Sequence, residues 1–208
     1  MTFEEILTLA PVIPVLIIED VEHAVPLGRA LVAGGLPVLE VTLRTPAARD
    51  CIRRMAGEVE GAVVGAGTVI SSAMRQEVAD LGGAFCVSPG LVPDEDAPGA
   101  VPLLPGIATA SELIEGLHRG FEFFKLFPAN VAGGPAALKA FASPFPQARF
   151  CPTGGVDAKT APDYLALPNV LCVGGSWVAP PEAVRAGDWG RIEALAREAA
   201  GLRAHNQN

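Results

Sequence analysis

Along Val38-Leu-Glu-Val-Thr-Leu-Arg44 polar and apolar residues alternate. Successive side chains of a strand point to opposite faces, so Leu39, Val41 and Leu43 form one wholly apolar face and Glu40, Thr42 and Arg44 share the other. A carboxylate in so apolar a run costs free energy unless it has a specific partner. A buried ion pair or a loop arginine would explain the pattern structurally. Acid–base chemistry explains it better, because titratable groups forced into apolar surroundings gather at functional sites. The second anomaly is Lys125 in Phe121-Glu-Phe-Phe-Lys-Leu-Phe-Pro128, where Phe123 and Phe127 share its parity. Lysines seldom enter a core, and an amine drawn out of water is more easily held uncharged, the form that attacks a ketone. A lysine snorkelling from a strand end is the ordinary alternative, which phenylalanines on both sides do not suit.

Two glycine pairs add a third signal: Gly154-Gly155 follows Cys151-Pro-Thr153, and Gly174-Gly175 precedes Ser176. Either pair alone makes only a tight turn. After the last two strands of a barrel, however, backbone N–H groups and a helix N-terminus commonly build a phosphate site. Thr68, following Gly65-Ala-Gly67, has the parity to bring its hydroxyl to the same mouth.

These residues need a frame that brings distant strand ends together. Short β-branched runs alternate with longer stretches of helical period, the pattern of βα units around a parallel sheet. Eight strands are expected, at 12–18, 38–42, 62–67, 85–88, 102–105, 123–127, 149–152 and 170–173. Helices are expected at 23–33, 46–58, 72–81, 111–119, 135–142, 160–166 and 191–202, with Ser72 and Ser111 as N-caps and Pro46 and Pro135 in first turns. The fourth crossover, 91–99, is rich in Pro and Asp and promises a poor helix. An extra amphipathic helix over 2–9 precedes the first strand and is placed to plug the lower end. The expected fold is thus α/β, a compact (β/α)8 TIM barrel forming a single domain over 1–208, with a polar, frayed tail from Arg203. An open doubly wound sheet is the alternative. The run Gly65-Ala-Gly-Thr-Val-Ile70 lacks the third glycine of a dinucleotide fingerprint and follows the third strand instead of the first.

Composition narrows the partners. The chain has 208 residues, half of them hydrophobic, enough to bury a core without cross-links. Its formal charge of -8 argues against nucleic-acid binding, which needs a basic surface. Cys51, Cys86, Cys151 and Cys172 show no CxxC pairing and read as free thiols of a cytoplasmic protein. His23, His118 and His205 stand apart, with no zinc-site spacing and no acidic metal loop, so neither a metal nor another cofactor is expected. The apolar run 12–18 is too short to span a bilayer, and Glu4 and Glu5 replace a basic leader, so neither a signal peptide nor a membrane anchor is expected.

With these residues assembled, the chain resembles the 2-keto-3-deoxy-6-phosphogluconate (KDPG) aldolases, a family that includes 4-hydroxy-2-oxoglutarate aldolase activity, over nearly its full length. The resemblance rests on LEVTLRT (39–45), VGAGTV (64–69), SPGL (88–91), PLLPGIAT (102–109), FKLFPA (124–129), CPTGGV (151–156) and CVGGSW (172–177). It implies a Schiff base on Lys125, with Glu40 as general acid and base. It further implies that Arg44, Thr68 and Thr153 hold the carboxylate end of pyruvate, that Pro89 and Phe127 shape the pocket, and that Gly154, Gly155, Gly175 and Ser176 bind phosphate. Asn130 and Val131 stand where the family suggests an acidic and a small residue, which leaves the cover over the sugar end open. The threonine and arginine of Thr42-Leu-Arg44 and the threonine of Pro152-Thr-Gly-Gly155 favour the gluconate branch over the phosphogalactonate aldolases. The resemblance also implies a homotrimer.

Three other readings compete. A phosphosugar isomerase or phosphoribosyl-binding barrel would use the phosphate loops and leave Lys125 without a covalent role. A metal-dependent pyruvate aldolase would be stopped by EDTA, and these residues offer it no ligand set. A sugar-phosphate sensor would bind without releasing pyruvate.

Overall fold

The structure, a computed structural model, describes residues 1–92 and 101–203. Among these residues the chain runs α1 (Phe3–Thr8), β1 (Val12–Leu16), a 3-10 turn (Val21–His23), α2 (Ala24–Ala33), β2 (Val38–Thr42), α3 (Ala48–Glu58), β3 (Val63–Gly67), α4 (Ser72–Asp80) and β4 (Phe85–Val87). It continues β5 (Leu103–Leu104), β6 (Gly106–Ile107), α5 (Ala110–His118), β7 (Phe123–Leu126), α6 (Gly134–Phe141), β8 (Arg149–Phe150), α7 (Ala161–Leu165), β9 (Val173–Gly175), α8 (Pro181–Ala186) and α9 (Trp189–Ala200). Most of the crossover 91–99, and the tail beyond Arg203, lie outside the described residues.

The pairings are parallel throughout, in a curled α/β arrangement of two sheets ordered β5-β4-β3-β2-β1-β9 and β6-β7-β8. Between β8 and β9 there are two isolated parallel bridges, Phe150 to Val170 and Thr153 to Gly174. The strand expected over 102–105 is divided at Pro105, which has no N–H to continue a ladder. Its carbonyl still accepts the Lys125 N–H at 2.8 Å, so β6 passes to β7 while β5 stays with β4.

Alternation along the strands divides the core in two. Leu39 and Val41 join the larger cluster, built with apolar residues of α2, α3, α5, α6, α7, α8 and α9. On the other face Ile13, Val38, Phe85, Val87, Leu104, Cys151 and Cys172 pack with Ile6 and Leu7 of α1. Helix α1 begins in a capping box, in which the Thr2 hydroxyl accepts from Glu5 N–H while the Glu5 carboxylate reaches back to the Thr2 N–H.

Several boundaries differ from the expected ones for local reasons. Ser71, not Ser72, caps α4, its hydroxyl accepting from Met74 N–H. Thr109, not Ser111, caps α5, because only Thr109 has Glu112 three residues on to close a capping box. Pro46 precedes α3 instead of opening it, whereas Pro135 sits in the first turn of α6. The last strand falls at Val173–Gly175 and takes in the glycine pair expected just after it, since the edge of β1 pairs with Val173, Gly174 and Gly175. Helix α8 has no counterpart among the expected elements.

Candidate active site

Strand register places the two anomalous charges. Glu40 pairs with Val15 on one side and Gly65 on the other, and Lys125 pairs with Gly106. Both side chains are only 4% exposed, and Lys125 Nζ lies 3.5 Å from Glu40 Oε1. At that distance the contact is an ion pair more than a formed hydrogen bond, so neither group is locked by the other. The ammonium also stands over the Phe127 ring, 4.9 Å from its centroid. Each charge therefore has a partner that offsets part of its burial cost, and both face the same space.

Glycines make that space. A β-carbon on Gly67 would lie 2.9 Å from Glu40 Cδ and closer still to Oε1. One on Gly174 would lie 2.9 Å from Thr153 Cγ2 and closer still to Oγ1. Thr42, wholly buried, spends its hydroxyl on the Leu16 carbonyl at 2.9 Å and so ties the ends of β1 and β2 together beside the site.

At the mouth, exposed Arg44 donates from Nε to the Thr68 hydroxyl at 2.9 Å. Thr68 has φ 64°, a left-handed conformation that costs a β-branched residue free energy and persists only where the surroundings impose it. Next to it lies a cavity of about 170 Å³ lined by Arg44, Lys125, Phe127, Thr153, Gly154, Gly155, Gly175 and Ser176, with Val15, Ile17, Val156 and Gly174. Eight of the residues given a role from the sequence thus share one cavity; Glu40 reaches it through Lys125, and Thr68 through Arg44. Pro89 does not line it, but its backbone abuts Gly106, the strand neighbour of Lys125. Of the other four lining residues, Gly174 belongs to a glycine pair already singled out, Val156 adjoins Gly155, and Val15 and Ile17, which were not anticipated, share the parity of Ile13. A second cavity of about 270 Å³ meets the first at Ile17 and carries exposed, mixed charges in Glu19, Asp20 and Arg185, with no buried nucleophile.

The turns after β7 and β8 are stitched together. Thr153 N–H donates to Leu126 O at 3.0 Å, Ala129 N–H to Thr153 O at 2.8 Å and Asn130 N–H to Gly154 O at 3.1 Å. Gly154 and Gly155, at φ 96° and 70°, turn the chain so that it skirts the cavity. Among the described residues the Gly155 and Ser176 amides have no acceptor within the protein. Burial pushes the Cys86 thiol up to about 12 and the Cys51 thiol up to about 11, while Cys151 Sγ lies 3.9 Å from the Thr153 hydroxyl. Among the described residues no three His, Cys, Asp or Glu side chains gather as metal ligands, and no helix is long and apolar enough to cross a membrane.

The chain as a whole is similar to known proteins. The family model for KDPG and KHG aldolase matches residues 3–195. A protein of Escherichia coli K12 named KHG/KDPG aldolase is 53% identical over 199 residues, covering 94% of this chain and 93% of its own. A KDPG aldolase from Legionella pneumophila, solved with pyruvate captured as a covalent carbinolamine, is 42% identical with a TM-score of 0.91, covering 96% of this chain and 98% of its own. The 2-keto-3-deoxy-6-phosphogluconate aldolase of Zymomonas mobilis, solved with 3-phosphoglycerate, is 51% identical with a TM-score of 0.90, covering 96% and 95%.

Proposed function

The chain belongs to the KDPG and KHG aldolase family, and from that premise we propose that it is a class I aldolase cleaving 2-keto-3-deoxy-6-phosphogluconate to pyruvate and glyceraldehyde 3-phosphate, with Lys125 as the Schiff-base residue. The observation that carries the assignment is the nearly unexposed pair of Lys125 and Glu40, 3.5 Å apart beside a glycine-lined cavity.

The Lys125 amine adds to the C2 ketone, and loss of water from the carbinolamine leaves a protonated imine. Glu40, through a water, takes the proton of the C4 hydroxyl. The C3–C4 bond then breaks, its electron pair passes into the imine as an enamine, and C4 leaves as the aldehyde. Glu40 returns the proton to C3, and water hydrolyses the imine to release pyruvate and the free amine. Arg44, Thr68 and Thr153 hold the substrate carboxylate, and Phe127 walls the pocket. The Gly154, Gly155, Gly175 and Ser176 segments receive the 6-phosphate, an assignment supported by the unpaired amides of Gly155 and Ser176. Local donors of this kind let a chain of formal charge -8 bind an anion. Pro89 acts on the pocket wall through Gly106. Cleavage of 4-hydroxy-2-oxoglutarate to pyruvate and glyoxylate is a second activity, favoured by the double name of the Escherichia coli relative.

The same reading makes the two sheets one closed eight-stranded barrel in a single domain, supported by the bridges between β8 and β9 and the short step across Pro105. Helix α1 then closes the end away from the site, supported by the packing of Ile6 and Leu7. A homotrimer follows from family membership, and a cytoplasmic setting from four free cysteines.

Borohydride reduction in the presence of pyruvate, followed by peptide mapping, tests the assignment. A reduced pyruvyl group on Lys125 is expected, with loss of activity. Labelling at Lys139 or Lys159, or no labelling, overturns it. An isomerase-type barrel predicts no labelling, and a sensor predicts no pyruvate in a lactate dehydrogenase-coupled assay.

A further inference from the structure

The two charged groups of the site stand on different sheets, Glu40 on β2 of the six-stranded sheet and Lys125 on β7 of the three-stranded one. Their separation therefore depends on how the sheets are joined. One join is made by the bridges between β8 and β9. The other falls at Pro105, where the chain leaves β5 beside β4 and becomes β6 beside β7. Ser88 fastens this second join. Its N–H donates to Leu104 O at 3.1 Å and carries the β4–β5 ladder one residue past β4. In a regular parallel ladder the next bond would take the Gly106 N–H to the Ser88 carbonyl. Here the Gly106 N–H donates to the Ser88 hydroxyl instead, at 3.3 Å, and that hydroxyl donates in turn to the Gly90 carbonyl. Ser88 is wholly buried, so bulk water cannot take over the Gly106 bond.

The same hydroxyl seats the Pro89–Gly90 peptide on Gly106, where a β-carbon would lie 2.4 Å from Pro89 C and 2.6 Å from Gly90 N. Gly106 is the strand partner of Lys125, and the carbonyl just before it, Pro105 O, accepts the Lys125 N–H at 2.8 Å. A short chain of bonds thus runs from β4 through the Ser88 hydroxyl to the strand that carries the amine. We propose that Ser88 is a positioning residue, which fixes the join at Pro105 and so holds Lys125 at its working distance from Glu40. The proposal rests on the reading of Lys125 and Glu40 given above. Imine formation uses the amine, whereas C3–C4 cleavage also needs Glu40 in register with it, so a loosened join should affect cleavage first.

Ser88→Ala removes both hydroxyl bonds, and Ser88→Cys fills the place with a group that donates and accepts only weakly. Cleavage of 2-keto-3-deoxy-6-phosphogluconate would be followed by coupled pyruvate release. Rates would be expressed per Lys125 labelled by borohydride with pyruvate, so that unfolded molecules are not counted. A displacement of about 1 Å in a reacting group costs about a hundredfold in rate, and the smaller shift of a loosened join is expected to lower kcat about tenfold in Ser88→Ala. Ser88→Cys is expected to lose nearly as much. KM should stay within about twofold, because the loss falls on a step after binding. In Ser88→Ala/Glu40→Gln the rate should be no lower than in Glu40→Gln alone, since both changes act on one pairing.

An unchanged kcat per labelled lysine would overturn the proposal, even if total activity fell, because Ser88 would then only stabilise the fold. Loss of labelling in both variants, with the wild type labelled, would overturn it for the same reason. So would additive losses in the double variant, or wild-type turnover in Ser88→Cys beside a loss in Ser88→Ala, which would leave packing alone as the cause. Failure at the level beneath is visible separately: if the wild type is not labelled at Lys125, the Schiff-base reading itself falls, whatever the Ser88 variants do.

Discussion

Gly67→Ala places a methyl group against the carboxylate proposed to move the protons. The β-carbon would lie 2.9 Å from Glu40 Cδ and 3.0 Å from Cγ, where ordinary carbon–carbon contact needs about 3.5 Å. The carboxylate must therefore retreat by at least about half an ångström, and further at Oε1. Gly67 is absent from the residues at positive φ, so alanine imposes no backbone penalty there and the effect passes through the side-chain contact. A displacement of about 1 Å in a reacting group can cost about a hundredfold in rate. A fall of about 10- to 100-fold in kcat is thus expected, equivalent to about 1.4 to 2.7 kcal/mol in the barrier. Pyruvate release coupled to lactate dehydrogenase measures it. Borohydride labelling of Lys125 should persist, because the methyl group meets Glu40 and leaves the amine free. In Gly67→Ala/Glu40→Gln the rate should be no lower than in Glu40→Gln alone, since both changes act on one group. Near-normal turnover in Gly67→Ala would refute the reasoning, as would additive losses in the double variant.

Glu40→Gln keeps shape but loses proton transfer, and kcat should fall about 10²- to 10⁴-fold with labelling of Lys125 retained; near-normal cleavage would remove Glu40 from its role. Ser176→Asp puts a charge beside the phosphate and should lower kcat/KM for the phosphorylated substrate about 30- to 1000-fold, leaving pyruvate labelling unchanged; parallel loss of both would indicate general damage. In the α5 cap, N–H donation from Ala108 at 2.7 Å, with the Thr109 hydroxyl and N–H, holds Glu112 below its ordinary carboxylate range. A depressed value means stability that is present above the unfolded value and lost as pH falls through the folded one. Glu112→Ala should therefore lower stability at neutral pH by about 0.5 kcal/mol in thermal melting, solvent screening of this exposed carboxylate keeping the effect small, and the difference should shrink below about pH 4; a constant difference would rule out the carboxylate as its source.

The candidate site was legible in the sequence because it broke a pattern. Glu40 and Lys125 stand out only against the apolar runs around them, and the same contrast gave the parity of Thr42 and Arg44. What escaped depends on contacts between segments far apart in sequence. The division at Pro105 reflects which neighbour each half of that strand meets, β4 or β7. The inclusion of Gly174 and Gly175 in β9 is imposed by β1, whose residues 12–14 pair with them and Val173, where sequence alone reads a glycine pair as a turn. Helix α8 was hidden by its brevity and by Pro180 and Pro181 at its start, which read as a loop until α9 packs beside it.

The placement of the site follows from the face that lacks helices α2 to α9. On that face Ile13, Val38, Phe85 and Cys151 form an apolar floor with Ile6 and Leu7. Two residues further along their strands the same parity brings Val15 from Ile13, Glu40 from Val38 and Thr153 from Cys151, while Lys125 follows Phe123. One step of the pleat thus carries the chain from packing to chemistry. Gly65, Gly106 and Gly174 are the strand or bridge partners of Glu40, Lys125 and Thr153. A β-carbon at Gly65 would lie 2.5 Å from the Phe85 ring, and one at Gly174 would lie 2.9 Å from Thr153 Cγ2, so glycine at these places lets the floor and the site pack as they do. The amine stays usable because the packing that buries it stops one layer beneath it. A β-carbon at Gly106 would meet the Pro89 backbone, outside the cavity lining, whereas one at Gly174 would meet the Thr153 side chain, which lines it. That asymmetry is why Gly67 and Gly174, whose neighbours are side chains of the site itself, are the positions at which a single methyl group should reach the chemistry most directly.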